Sequence, residues 1–367
     1  MKGRLVAVVS ALAVGFTGCS GVRETLRARP GPAPTVFDAA ELVDVLAPDT
    51  VPAIDRPAFE APDEAATHLE PEVPVAVLEV AGDVRAYPLA ILVWHEIVND
   101  SVGGEPVAVT YAPLSGGVQA FRRTVAGRVL SFGASGKLYR SNLVMYDRAT
   151  RSLWPQLRGE AVLGPLRGAS LERAPIQISS FGDFRDSYPD GRVLTAATGA
   201  ARVYGTTPYA GYDSRRTPSE SFFALAPDRR LGAMERVVGV SSGAGSYAYR
   251  YATLRSAGVV YDRMGEEEVV VLWREGTRSA LDTPLIADGA AVGAAGVFVP
   301  VVDGKRLDLA PDPGGFRDRQ TGSTWTVLGV ATGGPMAGKR LVPVEHVDAF
   351  WFAWAAFAPA TGVFEAS

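Results

Sequence analysis

From about residue 73 the chain is written in short apolar runs separated by glycine turns. "VPVAVLEV" (73–80) and "PVAVTY" (106–111) place β-branched residues at period two. That is the pattern of strands with at least one buried face. "VAGD", "VGGE", "VAGR" and "VDGK" have the composition of tight hairpin turns. Two stretches break the alternation. "FGDFRDSYP" (181–189) and "VDAFWFAWAAFAP" (347–359) carry bulky residues at helical spacing and stop at a proline. Each predicts a short amphipathic helix. The pattern therefore predicts a β-rich α+β fold of antiparallel strands.

The chain also repeats itself. "TRSLWPQLRGEAVLGPLRGASL" runs from Thr150 to Leu171, and "TGSTWTVLGVATGGPMAGKRL" from Thr321 to Leu341. Both read Thr-x-Ser-x-Trp, then Leu, then Gly-x-Ala-x-x-Gly-Pro, then Gly-x-x-Leu. Upstream, Ala86-Tyr87 is echoed by Ala248-Tyr249, and Val98 and Asp100 by Val260 and Asp262. Asp147-Arg148 is echoed by Asp318-Arg319, and Phe184 and Pro189 by Trp354 and Pro359. The order is kept throughout. We read two tandem similar units of antiparallel strands, each ending in a short helix, over roughly 70–195 and 232–360. Two long units are not a solenoid. With margins they become unit one (51–197), a connector (198–231) and unit two (232–362). Trp154 and Trp325 are expected as equivalent core anchors, with Gly164-Pro165 and Gly334-Pro335 as equivalent turns.

Composition adds compartment rather than chemistry. The 40 glycines and 26 prolines among 367 residues suit a turn-rich β protein. A net charge of −4 without basic runs recruits no nucleic acid. At the start, Lys2 and Arg4 precede an apolar run from Leu5 to Phe16, too short to span a bilayer. Cys19 follows, and it is the only cysteine. An exported chain with one cysteine forms no internal disulfide. The segment resembles a bacterial lipoprotein signal, which implies a signal peptide over 1–18, lipidation at Cys19 and a Pro-rich tether over 19–50. The expected location is the extracytoplasmic side of a membrane, in the cell envelope.

At "VWHEIVND", "VTYAPLSGGVQAF", "GKLYRSNLVMYDR" and "SLWPQLRGEAVLGPLRG" the chain resembles the family of domains of unknown function numbered 3179. The resemblance covers about 50–362 and implies no established reaction. It does imply a departure: where family members often carry a Cys-x-x-Cys pair, this chain has Ala112 and Ser115. Thiolate-based redox exchange or metal ligation needs sulfur at those positions.

Several motifs tempt and fall short. Gly239-Val240-Ser241-Ser242-Gly243 has the spacing of a nucleophile elbow, yet a strand-like stretch follows where a helix is needed. Gly133-Ala134-Ser135-Gly136-Lys137 lacks phosphate-loop spacing, and Leu138 stands where a metal-binding hydroxyl belongs. His95-Glu96-Ile97-Val98-Asn99 begins like a zinc-protease helix, but Asn99 replaces the second histidine and the flanks read as strand. Neither a metal nor a cofactor is expected.

The repeat supplies a better filter. His95 and Glu96 fall against Ala257 and Gly258, and unit one carries about six extra residues around "GKLYRSNL". Polar residues found in one unit only are freer to serve function. The ligand-binding candidates are His95, Glu96, Asp100, Tyr139, Ser141 and Asp147. One reading brings these to a cleft in unit one. The other makes His95 part of a hydrogen-bond network and the insertion a longer hairpin. The expected role is non-enzymatic binding or scaffolding, with a small ligand or an envelope protein as the partner. The alternative is an enzyme, or a degenerate relative of a redox or metal site, around His95 and Tyr139.

Overall fold

The computed structural model describes residues 37–365, Ala224 excepted. The expected signal peptide and Cys19 lie outside those residues. Strands take 42% of the described residues and helices 12%, so the fold is β-rich, built from several antiparallel sheets. Five short helices are placed among them: α1 (Pro62–Ala65), α2 (Leu89–His95), α3 (Phe181–Ser187), α4 (Tyr251–Ala257) and α5 (Trp351–Phe357).

Three larger sheets and a two-stranded hairpin (Thr124–Val125 with Arg128–Val129) occupy the N-terminal half. The hairpin Pro74–Val80 with Asp83–Pro88 is flanked by Ile176–Ser180 and by the parallel strand Arg192–Leu194, with Phe59–Glu60 at the edge. Ile97–Val102, Glu105–Ala112, Gly117–Arg122 and Glu172–Ala174 form the second. Phe132–Tyr139, Asn142–Asp147 and Leu153–Pro155 form the third. In the C-terminal half, the hairpin Arg236–Ser242 with Gly245–Arg250 is flanked by His346–Phe350 and by the parallel strand Gly362–Val363. The other two four-stranded sheets there keep chain order, from Val259–Met264 to Val342–Pro343 and from Leu309–Asp312 to Ala331–Gly333, and Val301–Val302 pairs with Lys305–Arg306 as a two-stranded hairpin.

The written-twice sentence has a local physical cause. Asp147 accepts hydrogen bonds from Thr150 N (2.6 Å), Ser152 N (3.2 Å) and the indole Nε1 of Trp154 (3.1 Å). Asp318 accepts them from Thr321 N (2.5 Å), Ser323 N (3.1 Å) and Trp325 Nε1 (2.9 Å). Both tryptophans are fully buried, so each indole N–H needs a partner, and each aspartate supplies it. Gly164 (φ +95°) and Gly334 (φ +81°) are required as well. A Cβ on either would come within 2.8 Å of the Cα of Ser152 or Ser323 respectively, at 2.6 Å and 2.7 Å.

Two of the four cores cross the midpoint of the chain. Trp351 and Phe352 of α5 share one buried cluster with Leu78, Val109 and Tyr111 of the N-terminal half, and Phe181 and Phe184 of α3 share another with Phe298, Phe316 and Trp325. Reciprocal bonds accompany this packing: Phe350 N donates to Ser115 O (2.9 Å), and Ser187 Oγ bonds Thr326 Oγ1 (2.9 Å). Each half also closes a core of its own, and α3 and α5 pack on the hairpin-centred sheets of their own halves.

Some expectations need correction. "VWHEIV" does not open as strand: α2 runs to His95. Its residues Leu89–Val93 are apolar all round, as befits a helix surrounded by protein, and such a run lacks the polar face that marks a surface helix. The tether does not reach residue 50, because Leu42–Asp44 pairs with Lys137–Tyr139 as an edge strand. Neither half ends in its helix; a short parallel strand follows α3 and α5. The Gly239–Gly243 stretch is a hairpin, with Ser241 Oγ bonded across it to Ser246 Oγ at 3.0 Å.

Candidate functional site

α2 and α4 are built alike and end alike. Each is capped by a residue in the left-handed region whose N–H returns to the helix: Glu96 N to Leu92 O and Gly258 N to Leu254 O, both 2.7 Å. Their surroundings differ. On α4 only Tyr251 and Leu254 are buried, whereas α2 buries every residue except Trp94. The cover over α2 comes from segment 198–231. Trp94 Nε1 donates to Thr206 O (2.9 Å), and His95 Nε2 lies 2.6 Å from Tyr204 Oη.

The tautomer of His95 follows from its partners. Nδ1 faces the carbonyl of Pro52 at 2.7 Å, and a carbonyl only accepts. Nδ1 therefore carries the proton. Nε2 is then the acceptor in the neutral ring, so Tyr204 donates to it and its oxygen accepts from Thr198 Oγ1. Burial pushes the His95 pKa below its ordinary value, and the nearby Arg202 charge adds to that, which keeps the ring neutral. The Thr198–Tyr204–His95–Pro52 chain is thus directed and closed. Tyr204→Phe should strand His95 Nε2 and cost about 1–2 kcal/mol in chemical unfolding, with no loss of secondary structure by circular dichroism.

Glu96 is the strained member. Its φ is +57° where α4 has a glycine at +68°. A non-glycine residue there costs roughly 1–2 kcal/mol. Burial alone raises its carboxyl to about 7. Among the described residues its carboxylate has no hydrogen-bond partner, while its charge is felt by Tyr209.

A cleft of about 260 Å³ runs beside α2. Its apolar lining comes from Leu69, Val73, Pro88, Ala90, Ile91, Leu194, Ala196, Ile286 and Ala287. Tyr204 and Gly205 of the connector line it as well. Glu60, His68 and Glu70 supply the remaining polar groups, with Glu60 Oε1 3.0 Å from His68 Nε2.

The other sequence candidates do not join His95. Asp100 takes the Arg85 guanidinium at 2.7 and 2.8 Å and the Tyr87 hydroxyl at 2.7 Å. Its counterpart Asp262 takes the Tyr249 hydroxyl at 2.9 Å, so both belong to the framework. Asp147 serves Trp154 as described. Tyr139 is fully buried between Phe37 and Phe357. Ser141 donates to Phe222 O at 2.9 Å. The extra residues of unit one lengthen a hairpin, with strands of 8 and 6 residues against 4 and 4. Its turn packs beneath the connector, away from solvent. Ser115 is fully buried in a turn where its Oγ donates to Ala112 O (3.2 Å) and accepts from Asn142 Nδ2 (3.0 Å).

Sequence reasoning missed Tyr204, Glu60 and His68. The scarcity of histidine was a signal for His68, one of three in the chain. Tyr204 carried none beyond its place in a tyrosine-rich connector. Among the described residues, no group of three or more His, Cys, Asp or Glu side chains could hold a metal.

The family model described as "Protein of unknown function (DUF3179)" matches residues 48–361, most of the chain. The chain belongs to the DUF3179 family. No curated protein and no solved structure matches it. Within this DUF3179 chain the cleft and the α2 terminus therefore carry the functional argument by their own chemistry. Among the described residues no helix is long and apolar enough to cross a membrane.

Proposed function

We propose that this DUF3179 protein is a lipid-anchored extracytoplasmic protein with a non-enzymatic role, and that its cleft beside α2 binds a small apolar molecule. The observation that carries the reading is the cleft. It is concave and lined mainly by aliphatic side chains with a few polar groups, which is the usual make-up of a small-ligand site. Its volume is just below the usual range, which favours a small occupant. The cover over α2, absent over α4, points the same way: one half carries an enclosed environment that the other lacks.

The same reading takes the body as an internal duplication. Matching strand orders in the two hairpin-centred sheets support it, as do the paired Asp147 and Asp318 networks. An enzymatic site around His95 and Tyr139 finds less support, since His95 bonds Tyr204 and Tyr139 packs among aromatic rings. No cofactor is proposed.

Two experiments test this. Calorimetric titration of the purified chain with 1-octanol should show saturable binding that Ala196→Trp abolishes. Ala196 is exposed and lines the cleft, so the indole fills the site without disturbing the core. Binding that survives that change would move the ligand elsewhere. For the anchor, Cys19→Ala should release the protein from the membrane fraction or stall its processing; unchanged membrane association would remove the lipoprotein reading.

A further inference from the structure

We propose a second binding site, separate from the cleft, in which the Glu96 carboxylate and the hydroxyls of Tyr111 and Tyr209 hold the ammonium group of a small organic cation. The fold places these residues together. Strands Ile97–Val102 and Glu105–Ala112 pair with Ile97 opposite Thr110. Glu96 and Tyr111 are the next opposed pair, and Tyr111 N donates to Glu96 O at 2.8 Å. Opposed residues of antiparallel chains face the same side. Tyr209 comes from the connector and packs into the same apolar cluster as Tyr111. It feels the charge of Glu96, and Tyr111 in turn feels Tyr209.

What these groups lack is a partner. Tyr111 is 2% exposed, and its hydroxyl bonds nothing among the described residues. The same holds for the Tyr209 hydroxyl and the Glu96 carboxylate. Polar groups set this deep without a partner in the chain call for one from outside it. The fold does contain sealed orphans, Gln119 Nε2 and Thr277 Oγ1 among them. The oxygens of Glu96, Tyr111 and Tyr209 are of another kind, because each keeps contact with space that a water can enter. Nor does the framework need them. In the C-terminal half Trp273 N donates to Gly258 O, also at 2.8 Å, so Trp273 and Gly258 stand where Tyr111 and Glu96 stand. That half keeps the backbone contact without a carboxyl or a phenol.

Charge selects the ligand. The Arg236 guanidinium acts on Tyr111, but it is paired with Asp213 at 2.7 Å. Burial is the whole cause of the raised Glu96 carboxyl, so no cation of the chain offsets its charge. The ionised site is left with one net negative charge and three groups that accept hydrogen bonds. An ammonium brings one positive charge and three donors. Its binding is tied to pH through Glu96, which ionises near 7. Burial keeps Tyr111, Tyr209 and Tyr212 protonated there and His95 neutral, and Arg236 stays charged.

The test titrates the purified, labelled chain at constant ionic strength with methylammonium, with its neutral isostere methanol and with formate. The Tyr111 amide and the Glu96 side-chain carboxyl are followed by NMR. At pH 8 methylammonium should saturate with a Kd of about 10 mM, close to the ceiling for two heavy atoms. Methanol and formate should not saturate. At pH 6 methylammonium should bind about tenfold more weakly, because a proton must first leave Glu96. Tyr111→Phe should weaken binding about tenfold, the scale of one hydrogen bond to a charged group. It should melt at the wild-type temperature, because the hydroxyl it removes has no partner in the fold. Glu96→Gln should bind none of the three. The site is overturned if methylammonium does not saturate, if methanol binds as tightly, if affinity is equal at pH 6 and pH 8, or if binding survives Glu96→Gln. A stability loss in Tyr111→Phe overturns it too, by giving that hydroxyl to the framework. Octanol binding in the cleft rests on other residues and is unaffected by any of these results.

Discussion

Glu96→Gln should make the protein more stable, and by an amount that grows with pH. The Glu96 carboxyl is buried to a pKa of about 7, against an ordinary value of 4.5. The folded state therefore holds a proton that the unfolded chain has already released between those two values. The stability attached to that proton is fully present below pH 4.5 and is lost as pH rises through about 7. Above that, the protein folds at the cost of burying a charge without a partner. Glutamine keeps the shape and cannot ionise. The gap between variant and wild type should widen by about 2–3 kcal/mol between pH 5 and pH 8. His95 titrates in the opposite sense, its folded pKa being lowered, but it is present in both proteins and cancels in the difference. Glu96→Gly should add about 1 kcal/mol more at every pH, because glycine accepts the left-handed backbone that Gly258 already occupies. Urea unfolding of the three proteins across that range measures all of this. A pH-independent gap would show that the carboxyl finds a partner in solution.

The second large effect lies in the framework. Asp147→Ala and Asp318→Ala should each cost about 3 kcal/mol or more and lower the melting temperature by roughly 10 °C. Each change leaves a buried indole N–H and two backbone N–H groups without their acceptor. The losses should be similar, because the two carboxylates have the same partners in the two halves. Binding of the cleft ligand should be unchanged in whatever fraction remains folded. A ligand-affinity loss at Asp147 without a stability loss would return that residue to the functional site.

What was legible in the sequence divides along physical lines. The strands at 74–80 and 105–112 and the hairpins between them were readable, because alternation and glycine turns are local signals. So were α3 and α5, whose bulky residues keep helical spacing. α2 was not readable. A seven-residue apolar run carries no periodicity that separates helix from strand, and its fold is decided by the protein packed around it. Asp100 and Asp147 were offered as site residues although the repeat already paired them with Asp262 and Asp318. A residue kept in both halves is serving what both halves share, and here that is a buried hydroxyl and a buried indole. The same filter did single out Glu96, whose counterpart is a glycine. It could not supply the partner of His95. Tyr204 lies 109 residues away, in a connector without regular pattern, and only tertiary packing brings the two rings together.

The most direct test of the account is a titration of the isotopically labelled protein with 1-octanol, followed by backbone amide resonances. Ile91, Leu194, Gly205 and Ala287 should shift together along one saturable curve. The amides of α4, the exposed counterpart of α2, should stay where they are. Shifts that never saturate, or that are as large along α4 as along α2, would contradict the claim that the cleft beside α2 is a binding site.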